Sequence, residues 1–249
     1  MNYKIMLKLT TFELKLFSRN FISMFFLLVF PTLMILLFGG IYGNEPNVIF
    51  GGVGTVDVSV PAYSGLIISV TGLMSLPLTL CEYREKKILK RYRATPLKVI
   101  YVIISQVCVN CLMTIAGMIF LIIIAKLVFG LNFIGNVFEV IIIFILSMLS
   151  VFSIGFLIAS VAPNMKAANA IANLVYFPML FLTGATIPIE IMPEFMQKIS
   201  KFLPVTHAVN AMKDVWLGKG MIHAWVSILV LILVLLVCLI VSLKIFRWE

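Results

Sequence analysis

Seventeen residues from Glu82 to Lys98, EYREKKILKRYRATPLK, carry seven of the nineteen Lys and Arg residues of the chain. Their chemistry is ionic recognition. Arg84, Lys90, Arg91 and Arg93 offer salt-dependent contacts to an acidic groove on a partner. Glu82, Lys86 and Lys90 recur at i,i+4, a spacing that suits a short, wet, rigid helix. Other chemistry is poorly supplied. Cys108 and Cys111 have CxxC spacing but sit in an apolar run without further ligands, which reads as small core residues. The two histidines, His207 and His223, stand apart, without a nucleophile or metal motif. GGVGT at 51–55 lacks the Gly-Lys-Ser/Thr ending of a phosphate loop, so no nucleotide site is expected. Catalytic residues: none. Metal ligands: none.

The elements that hold this basic segment are long and apolar. Hydrophobic residues make up 62% of the chain and charged ones 12%, which no soluble core requires. Six uncharged stretches occupy 20–44, 58–81, 99–125, 140–165, 167–189 and 220–243. Roughly 20 apolar residues carry a helix across a ~30 Å hydrocarbon core, so each stretch has room for one span. The expectation is an all-α integral membrane protein with helices at 20–43, 61–81, 99–125, 140–162, 168–188 and 222–243. Alternating ten-residue β-barrel segments are absent, and the first run is too long for a signal peptide, so it reads as an uncleaved anchor.

Basic residues set the orientation. With the N-terminus inside, fourteen Lys and Arg fall on the cytoplasmic side, and Lys126, Lys198, Lys201, Lys213 and Lys219 fall outside. The positive-inside bias places both termini in the cytoplasm. The net charge of +9 is then chiefly a topology signal, with attraction to anionic lipid as a secondary effect and nucleic-acid binding not expected.

Residues 2–18 read as an interfacial helix. Lys4, Lys8, Thr11 and Lys15 share one face, and Ile5, Leu9, Phe12 and Leu16 the opposite one. The segment 189–219 is too charged to span, yet amphipathic. Glu194, Gln197, Lys198 and Lys201 oppose Phe195, Ile199 and Phe202, with Pro193 at a helix start and Pro204 at its end. A second amphipathic turn is expected from Thr206 to Leu217. Such a segment can dip into the external leaflet and return if protein covers its backbone.

Two motifs carry a resemblance. REKKILKRYRATP (84–96) is similar to an RE-x-G-T-L-x-x-L-x-x-T-P pattern, matching at Arg84, Glu85, Leu89, Thr95 and Pro96 and departing at Lys87 and Ile88. GATIPIEIMPEFMQKISKFLPVTHAV (184–209) is similar to a G-x-x-x-P-x-x-x-x-P segment followed by a Leu-Pro turn. Both belong to the permease subunit of type-2 ATP-binding-cassette transporters, small bacterial exporters related in fold to the G-subfamily, and the whole chain resembles that subunit.

The resemblance implies a coupling helix at 82–98, with Glu82, Arg84, Glu85, Lys90, Arg91, Thr95 and Pro96 meeting an ATPase, and a re-entrant element holding Pro188, Glu190, Pro193 and Pro204. It implies two cytosolic ATPase subunits that carry ATP and Mg, and a second permease copy or paralogue. It also implies a path lined by the second and fifth spans, with Ser69, Thr71, Ser75, Asn169, Asn173 and Phe177 as candidates and Thr79 and Tyr176 nearby. Weakly polar, aromatic walls suit an amphipathic cargo such as a drug, antimicrobial peptide, lipid or glycolipid. The residues leave rival classes in view. An ion-coupled transporter or channel would bury charge inside its spans, where these runs have none. A membrane scaffold gives no reason for the basic segment.

Overall fold

A computed structural model describes residues 3–47, 52–93, 99–184 and 192–245, and is all-α apart from a two-stranded hairpin, β1 (Pro46–Asn47) with β2 (Val53–Gly54). Among the described residues, six helices are long and apolar enough to cross a membrane. They are α2 (Phe21–Tyr42), α3 (Thr55–Glu85), α5 (Val99–Phe129), α6 (Val137–Val161), α7 (Met165–Leu182) and α10 (Trp225–Ile245). Four shorter helices complete the order: α1 (Tyr3–Arg19), α4 (Ile88–Arg93), α8 (Glu194–Ser200) and α9 (Pro204–Trp216). The chain is an all-α integral membrane protein. Its α1, α4 and α6–α7 turn cluster at one end, here the basic end. The hairpin, the 130–136 turn and the start of α10 form the opposite, loop end.

The helix α3 is the hub, buried along nearly its whole length. Its 31 residues run about 46 Å at 1.5 Å per residue, well past a ~30 Å hydrocarbon core. It therefore carries Tyr83, Arg84 and Glu85 clear of the lipid. Two π-type turns interrupt the spans, at Phe25–Val29 in α2 and Val70–Ser75 in α3. Each ends just before a proline. Pro31 and Pro77 lack an N–H, and their rings press on the carbonyls of Leu27 and Leu73; the widened turn moves those carbonyls aside.

Small residues let the helices approach. Gly72 in α3 and Gly155 in α6 put backbone against backbone, the arrangement that favours helix association in lipid. Hydroxyls inside the spans donate to their own helix: Ser69 to Gly65 O at 2.7 Å, Ser105 to Tyr101 O at 2.6 Å, Ser160 to Phe156 O at 2.7 Å. Asparagines start three helices. Asn20 accepts from Ser23 N at 3.2 Å, Asn136 from Phe138 N and Asn164 from Ala167 N, both at 2.9 Å.

At the loop end, α3 begins at Thr55 rather than 61, because a side chain caps it. Asn44 Oδ1 accepts from the amides of Val56 and Asp57 at 3.1 and 3.2 Å, and its Nδ2 donates to Asp57 Oδ1 at 3.0 Å. Asp57, buried in the first turn, also accepts from Asn132 N at 2.9 Å, which clasps the two loops together. The amphipathic α9 is interior, between α3, α6 and α10. Val205 and Val209 lie against Gly65, and the Val215 and Trp216 carbonyls lie against Gly135. Gly65 is about 15 Å along α3 from Thr55, so α9 rises through the bundle toward the loop end. Pro204 opens α9 instead of closing the preceding helix, which ends at Ser200. As a first-turn proline it gives up an amide that has no helical partner.

Candidate functional site

The basic end is organised by the last turn of α3. Arg84 Nη1 donates to Ala159 O at 3.2 Å and Nη2 donates to Ala162 O, so the guanidinium fork closes the C-terminus of α6, where carbonyls have no helical partner. Beside it, Glu85 Oε2 accepts from the Met165 amide at 3.0 Å, the first residue of α7. The cation holds a negative helix end and the anion a positive one. One dipeptide thus pins the end of α6 and the start of α7 to α3. Arg84, expected to meet a partner, thus also holds the end of α6 within the chain.

The expected single helix over 82–98 is broken. Lys86 and Lys87 form a turn, α4 restarts at Ile88, and Lys87 has φ of 55°, the left-handed region. Lys87 stands where the similar pattern has glycine, and a side chain there costs about 1–2 kcal/mol. Lys87→Gly is therefore expected to raise stability by about 1 kcal/mol, read from the thermal midpoint of the purified protein. An unchanged or lower midpoint would refute the strain. Glu82 and Lys86 pair across 2.5 Å in solvent, and that hydrogen bond holds the ammonium above its ordinary range. Lys86, by contrast, lies in the turn and Lys90 on α4. Lys90 and Arg91 are exposed on α4, whereas Thr95 and Pro96 lie outside the described residues.

A buried carboxylate escaped the sequence reading. Glu13 of α1 is 3% exposed. Its Oε2 accepts from Tyr83 Oη at 2.5 Å and from Gln106 Nε2 at 2.6 Å, joining α1 to α3 and α5. The inward side of α1 accordingly includes Glu13 and Phe17, while Phe12 and Leu16, expected on the apolar face, remain exposed. Burial pushes the Glu13 carboxyl above the ordinary carboxylate range, against the two hydrogen bonds that lower it. With the folded pKa raised, the native state binds more protons than the unfolded chain, so this stabilisation is complete below the ordinary carboxylate pKa and is lost as pH rises through the elevated value. Thermal unfolding should show that fall in wild type and not in Glu13→Gln. Parallel pH profiles would contradict it.

Between α2, α3 and α7 a cleft of about 480 Å³ opens toward the basic end. Asn20, Ser75, Thr79, Asn173, Tyr176 and Phe177 line it. Of the expected path residues it gathers Ser75, Asn173 and Phe177. Ser69 and Thr71 are buried elsewhere: Ser69 is satisfied by its own helix, and Thr71 accepts from Thr114 Oγ1 of α5 at 2.8 Å. Asn169 sits one turn from Asn173 and accepts from its Nδ2 at 2.9 Å, on an exposed face of α7. Pro188 and Glu190 lie outside the described residues. Pro193 precedes α8, whose Phe195 and Ile199 are exposed together with the following Phe202. His207 bridges Lys201 O at 2.9 Å and Ser227 Oγ at 3.3 Å, tying α9 to α10. Among the described residues no three His, Cys, Asp or Glu side chains converge as metal ligands.

Residues 6–217 match the model of a family described as ABC-2 type transporter. The chain belongs to the ABC-2 type transporter family. Named relatives agree with that membership. Nodulation protein J of Rhizobium leguminosarum bv. viciae is 32% identical over 95 residues, 38% of this chain and 37% of the relative. The putative transport permease ycf38 of Porphyra purpurea is 26% identical over 196 residues, 75% of this chain and 65% of the relative. The linearmycin resistance permease protein LnrN of Bacillus subtilis (strain 168) is 34% identical over 87 residues, 35% of this chain and 22% of the relative. The chain thus spans about a third of the length of the Nodulation protein J relative. The ABC-2 family match ends at residue 217, short of α10. It covers the Arg84–Glu85 clamp, the Glu13 cluster and the cleft.

Proposed function

We propose that this chain is the permease subunit of an ATP-driven exporter, with both termini and the basic end in the cytoplasm of a bacterial cell. Two cytosolic ATPase subunits would supply ATP and Mg, and a second copy or paralogue of the chain would complete the membrane unit. The observation that carries this reading is the Arg84–Glu85 clamp. A force applied to α4 by a soluble partner passes to the end of α3 across the Lys86–Lys87 turn and through the packing of Leu89 on Tyr83, and from there to α6 and α7 through charge-assisted hydrogen bonds. The face of α7 bearing Asn169, Asn173 and Phe177, with Leu174 and Phe181 also exposed, is the surface that a second protomer would share with the cargo. The cleft's few hydroxyl and amide groups and the Glu82 carboxylate, among aromatic and aliphatic walls, suit an amphipathic molecule. Names such as linearmycin resistance permease support that class.

Ion coupling fits less well. Every charged residue in the six long helices lies within four residues of a helix end, whereas intramembrane coupling calls for buried ionisable groups at depth.

The test is docking. Lys90→Glu with Arg91→Glu leaves the clamp intact and should weaken recovery of the ATPase subunit, most at low salt, where charge pairing across an exposed interface is strongest. Each such pair contributes only about 0.2–1 kcal/mol, so the double change is needed. Equal recovery of the partner at every ionic strength would remove α4 from the docking surface.

A further inference from the structure

A second groove, of about 730 Å³, lies on the other side of the bundle between α5, α6 and the end of α9. Its walls are apolar, among them Ile115, Ile122, Phe144, Ile145 and Met212. Two polar groups interrupt them, and both are donors. Lys126 stands one turn from the end of α5 with its side chain exposed. Trp216 is 3% exposed, lies edge-on to Phe133 with ring centres 4.8 Å apart, and its indole N–H is buried without a hydrogen-bond partner. The nearby carboxylate, Glu139, points its Oε2 to the Met221 amide at 3.0 Å and does not line the groove.

We infer that this groove binds one anionic phospholipid of the leaflet at the loop end, its phosphate at Lys126 and an acyl chain along the apolar wall that Trp216 helps to close. A cation with no carboxylate in the groove selects an anion. Length agrees as well. Ile115 lies eleven residues before Lys126 on α5, about 16 Å at 1.5 Å per residue, which is close to half of the ~30 Å hydrocarbon core. The groove is therefore one leaflet deep, polar at the headgroup level and apolar where an acyl chain lies. Its position away from the α2–α3–α7 cleft makes the lipid a structural ligand between α5, α6 and α9, not cargo. The inference stands whether or not the proposed transport function holds.

Brominated lipids test it. In a Trp225→Phe/Trp248→Phe background the remaining fluorescence reports Trp216. Reconstituted into phosphatidylcholine vesicles with dibrominated phosphatidylglycerol, Trp216 should show about two- to fivefold preference for phosphatidylglycerol over brominated phosphatidylcholine, the ratio that one partly exposed ion pair yields. Lys126→Ala should bring the ratio to about one and Lys126→Arg should keep it, with Trp216 emission in unbrominated vesicles unchanged as the check on folding. Equal quenching by the two lipids in the parent protein would mean annular lipid only. Weak quenching by both would mean that protein, such as a second copy, fills the groove. A ratio that Lys126→Ala leaves intact would remove the lysine from the site. Each of these three results overturns the proposal.

Discussion

Gly155→Leu should abolish the folded protein, and Gly155→Ala should lower its stability by about 1–3 kcal/mol, the usual cost of forcing atoms into a filled core. A methyl group built on Gly155 falls on the carbonyl oxygen of Gly72, well inside van der Waals contact, with Pro77 Cδ at 3.4 Å behind it. The neighbour is backbone, so no rotamer change relieves the overlap. Nor can α3 withdraw cheaply, because α5, α6 and α9 pack around it. Gly72 is enclosed in turn: a methyl there meets Phe152 Cδ1 at 2.8 Å and Val151 Cγ1 at 2.9 Å. These are side chains with some freedom, so Gly72→Ala should cost less than Gly155→Ala. Thermal unfolding of the purified variants in one detergent ranks them. The reverse order, or a neutral Gly155→Ala, would show that the α3–α6 crossing is looser than described.

Arg84→Ala should remove the link between the proposed partner and the spans while leaving the protein in the membrane. The substitution strips two acceptors, Ala159 O and Ala162 O, of a charged donor, and hydrogen bonds to charged groups contribute about 1.5–3 kcal/mol. Arg84→Lys keeps the charge but not the fork and should fall between the two. Glu85→Gln retains an oxygen for the Met165 amide and should be milder than Glu85→Ala. Transport in vesicles, normalised to inserted protein, is the measurement. Full transport by Arg84→Ala would leave the clamp without a role in coupling.

Much of the fold was legible because charge is costly in lipid. The gaps between Arg19 and Glu45, or Lys98 and Lys126, mark spans on that ground alone. The site was less legible. Glu13 sits among lysines and reads as a solvated residue, yet Tyr83 and Gln106, 70 and 93 residues away, make it interior. Arg84 and Lys90 look alike in a basic run. Only the fold shows that one reaches the end of α6 while the other is exposed. Ser69 and Thr71 are path candidates through the resemblance, which implies that the second span lines the path, and the sequence does not show that each hydroxyl donates to a carbonyl of its own helix. The π-type turns before Pro31 and Pro77 follow from a clash that the proline positions alone foretell, though the sequence reading passed over it.

ATP hydrolysis in lipid nanodiscs, by the purified chain alone and by the chain with the proposed ATP-binding-cassette subunit, tests the central claim most directly. The account predicts no turnover by the chain alone. It predicts turnover by the assembled complex that differs from that of the free ATPase subunit and returns toward it with Arg84→Ala. Hydrolysis by the chain free of any other subunit, or an ATPase whose rate is the same with and without this chain, would contradict it.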